Sequence, residues 1–452
     1  MSLSLTRRSI VTGAALVPLA ATARAQPVWS GALDAGTLGV RSGAPDQNAA
    51  FTKALAEAQA RKLPLFLPPG RYSVADIDLP DGTQLIGVPG RSRLVFTGGH
   101  SLLRARHGAR LRLQGLILDG AGLSMDEDGG LLYADGIASV VIEDCEGVGS
   151  AAYGLVLASS AGRIERCRIA GTRSAGIHIR QSAGFSITDN VLTDCGDRGI
   201  LISRETESDD NSIVRGNRIG DIPARSGGTG QNGNGINLSK ANGVIITDNR
   251  IDNCDFSAIR AFSSDNVQII GNQATRSGEK ALYVEFAFEG AVVSNNIVDD
   301  AGFGISFANL KDYGGHLAVC SGNLVRNIHG GTRLPTDDPT TGIGVGAGIG
   351  GEADLAITGN VIENARQGLN LGFGPYLRDI TATGNVIRKT EIGIAASVVE
   401  GAGQALIADN LISGASKAAI VGSRWTEVAT GDLTKAGAEN APNLLLANNR
   451  VS

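Results

Sequence analysis

Over most of its length the chain repeats one short pattern of apolar and polar positions. Each unit holds an apolar residue and, three places later, a slot that is most often Asn. About nine residues past the slot, Gly or Ala opens a five-residue run that is apolar at alternate places. The Asn slots are Asn190, Asn217, Asn249, Asn272, Asn296, Asn323, Asn360, Asn385, Asn410 and Asn449; Cys167, Cys145 and Gly115 extend the column backward. The alternating runs include GIHIR (176–180), GINLS (235–239), AIRAF (258–262), ALYVE (281–285), GISFA (304–308) and GVGAG (344–348). A period of two marks strands with one face turned inward. Several short strands in each unit of about 28 residues, with no helix between them, predict an all-β chain wound as a single parallel β-helix of about 13 coils. Leucine-rich repeats need a Leu and helix pattern, and propellers need antiparallel hairpins. Neither is present.

A sharp bend between strands favours the left-handed backbone region, which Asn tolerates, so the slot is read as the bend itself. Stacked Asn side chains, ~4.8 Å apart along the axis, would bond from coil to coil. The five cysteines are an odd number and match no zinc spacing. Cys145 and Cys167 occupy adjacent rungs, within disulfide reach, although two small buried thiols fit the column as well. Cys320 sits in the inward apolar row.

The N-terminal part differs. Residues 1–25 hold Arg7-Arg8, a short apolar run broken by Pro18, and a small-x-small site at Ala23-Arg24-Ala25. This resembles a twin-arginine export signal, which implies a partner in the twin-arginine translocation machinery and a periplasmic or secreted mature chain starting near Gln26. Residues 26–109 read as a cap with the first strands, and 110–452 as the repeats. In the cap, Asp46 is placed to cap a helix from about Gln47 to Arg61, with Phe51, Ala54, Leu55 and Ala58 on one face. LPLFLPPGRYSV (63–74) follows as two strand-like runs around a Pro-Pro-Gly turn.

This helix, the Pro-Pro-Gly-x-Tyr strand and the coils together resemble the pectin-lyase-like superfamily of right-handed parallel β-helices, over about residues 36–452. The resemblance implies a long groove on one face and action on polysaccharides. The residue sets that define polygalacturonases, many pectate lyases and the alginate epimerases are absent, so no catalytic residue is carried over. The export signal with repeats also resembles twin-arginine-exported repeat proteins of unassigned function.

Charge and composition narrow the partners. With 40 basic against 45 acidic side chains, the chain has no bulk attraction for nucleic acid. No apolar stretch beyond the N-terminus is long enough to span a membrane. Gly is abundant, at 63 residues, and aromatics make up only 4%, which suits tight turns around small aliphatic cores.

In each alternating run the second and fourth residues after Gly or Ala face outward. Those rows place His178, Asn237, Arg260, Tyr283 and Ser306 in one column and Arg180 and Glu285 in the next. Two long turns, 218–234 and 324–343, bracket Asn237 to Ser306 across about four coils, or ~19 Å. Loops that frame a rigid scaffold are the usual place for binding and catalysis. Arg260 is suited to hold a substrate carboxylate, Tyr283 or Lys240 to exchange a proton, and Glu285 to orient Arg260 or act as acid or base. Asn237, His178, Arg180 and Ser306 are candidate substrate contacts. Removing a proton next to a carboxylate needs a cation and a base, so the floor favours a lyase or epimerase of uronate polymers. Hydrolysis needs two carboxylates and ranks lower unless Asp337 or Asp338 reaches in. A non-catalytic polysaccharide-binding or structural cell-envelope protein is the alternative, and a protein-binding adhesin the third. No cofactor is expected; Ca²⁺ at Asp126-Glu127-Asp128 is the one metal candidate, against its lack of alternating ligand spacing.

If the leader is read by the twin-arginine pathway, replacing Arg7 and Arg8 together by Lys stops the mature protein from leaving the cytoplasm. Cell fractionation of the double variant checks this, and normal export would refute it.

Overall fold

In the computed structural model, residues 31–310, 314–334 and 343–452 are described. The expected leader and the loop acids Asp337 and Asp338 lie outside these residues. The chain winds as a right-handed parallel β-helix. Each coil adds a short strand to a sheet of 16 strands and further strands to a second sheet of 26, counted among the described residues. Among the described residues, all pairings are parallel except Ser423–Arg424 against Glu427–Val428. No helix of the described residues is long and apolar enough to cross a membrane.

Register follows the apolar pattern. In the first sheet Leu113, Ile142, Ile164 and Ile187 stand one above another. Val214, Ile246, Ile269, Val293, Cys320, Ile357, Ala382 and Ile407 continue the column. Each of these side chains is fully buried. In the second sheet the column runs through Ile177, Ile200, Ile236, Ile259, Leu282, Ile305, Ile349 and Leu369. Burying one such side chain contributes about 1.5–3 kcal/mol, so the two columns form one continuous core.

The Asn slots form the expected ladder. The backbone N–H of Asn272 donates to Oδ1 of Asn296 at 2.8 Å, and its Nδ2 donates to the same oxygen at 3.1 Å and to the Ile246 carbonyl at 2.9 Å. The same unit recurs from Asn190 to Asn449. The ladder Asn is not the bend, however. The left-handed residue is the one before it, as in Asp189, Gly216, Asp248, Gly271 and Asn295. Asp, Asn and Gly are the residues that visit this region most readily. The slot Asn instead supplies the amide that ties coils together. Gly115 belongs to the preceding left-handed column, with φ 66°, because Gln114 pairs with Glu143. Leu116, not Gly115, is therefore the rung beneath Cys145.

The five cysteines are free and buried. A hydrogen bond with Cys167, together with burial, pushes the Cys145 thiol up. The α-helix covers Asn48–Arg61 and buries Phe51, Ala54, Leu55 and Ala58 as expected. Asp46 accepts the Asn48 N–H at 2.9 Å, but the residue at the cap position is Gln47. Strands Leu33–Asp34, Leu65–Phe66 and Gln84–Ile86 already stack in the first sheet. Residue 110 thus marks where the repeat becomes legible, not where the stack begins.

Replacing Asn272 by Leu removes the acceptor used by Asn249 and the donors to Asn296 and Ile246. Stranding buried polar groups costs roughly 1–3 kcal/mol each, so a loss of about 3 kcal/mol is expected from urea unfolding. Gln268→Leu, on the exposed face of the same coil, should change the midpoint little.

Candidate functional site

The outward columns of the second sheet converge on one cavity. Arg260, Tyr283, Ser306 and Gly350 stack in register. One pleat further along, Phe262, Glu285 and Ala308 stack. Because Phe307 pairs with Gly351, the next residue in that column is Glu352. The residue before the Gly/Ala also turns outward: Lys280 pairs with Phe303 beside a register shift, and both line the cavity. These residues enclose about 200 Å³, below the ~300–1,000 Å³ of pockets for drug-sized ligands. The floor carries Arg260, Glu279, Lys280, Tyr283, Glu285 and Glu352.

Loop 223–233 forms one wall through Thr229, Gly230 and Gln231. It is fixed from beneath: the Gln231 carbonyl accepts from Arg198 Nε at 3.1 Å and from Asn237 Nδ2 at 3.3 Å. Among the described residues, none of the second long turn lines the cavity. Its described part folds back along the edge, where Arg333 donates to Asn253, to the Cys254 carbonyl and to the Arg276 carbonyl at 2.9–3.2 Å. Phe303, Leu310, Gly351, Glu352 and Phe373 close the cavity instead.

Inside, Arg260 is ion-paired to Glu285, with Nε 2.5 Å from Oε2. Its guanidinium also lies 5.2 Å from the Phe262 ring centre. Tyr283 is buried, and desolvation with the nearby Glu285 and Glu279 charges holds its phenol well above the usual tyrosine range. The Lys280 ammonium sits 3.7 Å from the centre of the Tyr283 ring. Burial depresses the Lys280 pKa, opposed by Glu279, Glu285 and Glu352. Burial raises Glu279, opposed by Lys280. Burial also pushes Glu352 up to about 7, against a hydrogen bond from the Asn309 N–H at 2.9 Å and the charge of Lys280. The cavity therefore holds three carboxyl groups, one of them poised near neutrality.

The sequence-predicted residues divide. Arg260, Tyr283, Glu285 and Ser306 come together in the cavity. Asn237 lies beneath the wall and holds it, rather than lining the cavity. Lys240 is misplaced as a proton carrier: it has φ 58° and points to the Glu205 carbonyl at 3.0 Å. His178 is buried, stacked on Tyr153 at 5.1 Å, and 2.8 Å from Ser203 Oγ. Burial and the Arg180 charge press its pKa down to about 3, so it is neutral. Arg180 donates to Tyr133 Oη at 3.0 Å. Neither touches the cavity. The outward rows are not solvent-facing as expected, since Tyr283, Glu285 and Ser306 are buried. In the acidic run, Asp126 contacts His100 Nδ1 at 2.8 Å, and the described residues contain no group of three or more His, Cys, Asp or Glu arranged to hold a metal.

Two features of the sequence conceal Lys280 and Glu352, and no spacing signal marks Glu279. Alternation that starts at the Gly/Ala leaves out the residue before it, and Lys280 stands there. The long turn before residue 343 hid a four-residue slip: GVGAG is not the strand, which is Ala347–Gly351 with Ile349 in the core column.

A family model for the right-handed β-helix region matches residues 122–230 and 206–339. The architecture is a right-handed parallel β-helix. The N-terminal fragment of gene product 12 of bacteriophage Phi29 has a similar structure, with TM-score 0.56 and 17% identity over 86% of this chain and 68% of that one. The A-module of the mannuronan C-5 epimerase AlgE6 of Azotobacter vinelandii aligns with TM-score 0.49 and 14% identity over 93% and 99%. The catalytic unit of the GH87 α-1,3-glucanase of Streptomyces thermodiastaticus strain HF3-3 aligns with TM-score 0.49 and 13% identity over 94% and 69%. At these identities the likeness is one of fold. No curated protein matches the chain in sequence.

Glu352 makes stability depend on pH. Its carboxyl binds its proton more tightly folded than unfolded, so its stabilising effect is complete below pH ~4.5 and is lost as pH rises through about 7. Glu352→Gln removes this term. Urea midpoints measured from pH 4 to 8 should fall less steeply toward pH 8 in the variant than in the parent; equal slopes would refute the raised pKa of Glu352.

Proposed function

We propose that the protein is an exported enzyme that acts on an extracytoplasmic polysaccharide by acid–base chemistry in this cavity, with cleavage of a glycosidic bond as the reaction. The observation that carries this reading is the pairing of Glu352, protonated near neutrality, with Glu285, ion-paired to Arg260, on one floor. Two carboxyl groups in different electrostatic environments are what glycoside cleavage requires. Glu352 gives its proton to the leaving oxygen, the Glu285 carboxylate stabilises positive charge on the sugar, and a water adds its hydroxyl to the anomeric carbon while returning its proton to the Glu352 carboxylate. Glu279 and Lys280 set the field around both.

The uronate lyase or epimerase reading is the second. It draws support from Lys280, a buried cation able to meet a sugar carboxylate. It loses support from Tyr283, whose raised pKa makes it a poor base at neutral pH.

The test is a screen of neutral and acidic polysaccharides that follows reducing ends and unsaturated-product absorbance together. Reducing ends without absorbance are expected; absorbance selects the lyase. Removing a general acid costs roughly 10²–10⁴ in rate, so Glu352→Gln should lower kcat by that much with KM little changed. Activity unaltered in Glu352→Gln would place the chemistry elsewhere, and binding without turnover in the parent would favour a non-catalytic role.

A further inference from the structure

The cavity ends at Phe373, and beyond Phe373 the surface carries an aromatic cluster with no part in the core. Phe373 and Trp425 meet edge to face with centres 5.0 Å apart, and Tyr376 lies 6.4 Å from Trp425. Aromatics are scarce in this chain, at 4%, so three of them gathered at one cavity mouth from two separate coils is a departure from its composition. Trp425 is 48% exposed. Three atoms of its ring lie within 2.8 Å of where a side chain on Gly374 would begin, so the ring packs against bare backbone. Glycine at 374 is needed for that contact and for its own φ of 59°.

The hairpin of Ser423–Arg424 and Glu427–Val428, the antiparallel pair of the described fold, presents this ring. Trp425 holds it from a left-handed backbone, φ 56°, which is costly for a bulky residue and persists only where the surroundings enforce it. A large apolar ring left half in water by such a device gains nothing for the core. A flat apolar face with polar rims is matched by the flat C–H face of a pyranose, which also carries hydroxyls at its edge.

We infer that Trp425 is a stacking platform for a sugar unit of the polymer outside the cavity, with Phe373 as the step between platform and floor. The inference rests on the proposed action on a polysaccharide and adds where the chain runs: toward the C-terminal coils, over Phe373, rather than along the N-terminal coils that carry His178 and Arg180. Longer oligosaccharides then gain from Trp425, while a single sugar held in the cavity does not.

The experiment uses the full mature chain and hexamers of galacturonic acid, mannuronic acid and β-1,4-linked glucose, with the corresponding monosaccharides. Binding is read by calorimetry and by quenching of tryptophan fluorescence. Trp425→Ala should weaken binding of the preferred hexamer five- to tenfold and abolish most of the quenching, with monosaccharide binding unchanged. Trp425→Phe should recover most of the affinity, and equal melting midpoints show that both variants fold. Hexamer binding undiminished in Trp425→Ala overturns the inference, as does a parent that binds none of the hexamers. Glu352→Gln separates the two claims. If it retains full turnover while Trp425→Ala still loses hexamer affinity, the catalytic reading of the cavity fails and the platform stands.

Discussion

Everything in this molecule depends on one coil being held at a fixed height on the next. The Asn ladder does that work. Each slot Asn spends its backbone N–H, its amide donors and its carbonyl oxygen on the neighbouring coils. These groups are buried, so a rung left unmatched carries the full cost of an unpaired amide. The ladder thereby fixes register, and register brings residues far apart in sequence into straight columns. Arg260, Tyr283, Ser306 and Gly350 meet only because no rung slips.

The same constraint decides where extra sequence can go. An insertion that kept the ladder but lengthened a strand would break two sheets. The chain lengthens instead in the turn after the slot, where residues 223–233 rise over the outward columns and are pinned by Arg198 and Asn237. Asn237 shows how a side chain in the outward row can serve the site without touching its contents. Its Nδ2 holds the Gln231 carbonyl, and its Oδ1 is buried with no hydrogen-bond partner among the described residues.

The fold and half of the floor were legible because they follow period and spacing. Inward rows predicted from alternation are the buried rows, and the cap helix buries the face that its Phe51, Ala54, Leu55 and Ala58 defined. What was not legible has a common cause. Spacing counts residues, whereas register counts hydrogen bonds, and the two part company at irregular points. Gly115 matched the slot by letter but takes the conformation of the residue before it. GVGAG resembled a strand, yet a long insertion had moved the strand four residues on, which concealed Glu352. Lys280 turns outward where the ladder shifts between Ser277 and Lys280. Breaks in local regularity are where a fold departs from packing logic, and here they place Lys280 and Glu352 in the cavity.

Burial alone does not pick out that chemistry. His178 is buried and Glu352 half-buried, and both are displaced from their ordinary pKa values, one to about 3 and the other to about 7. The difference lies in what surrounds them. His178 is neutral, stacked on Tyr153 and bonded to Ser203, and does not line the cavity of Arg260 and Glu352. Its shift simply removes a charge that packing could not accommodate. Glu352 faces open volume, shares a floor with Glu279, Lys280 and Glu285, and accepts one backbone N–H from Asn309. In a low-dielectric cavity these groups interact far more strongly than in water, so the proton on Glu352 is poised against the charges beside it. A ligand entering the cavity changes that balance by displacing water. A group held ready to titrate next to space that a substrate can fill is a different object from a histidine buried for packing, and it is geometry, not the size of the shift, that distinguishes them.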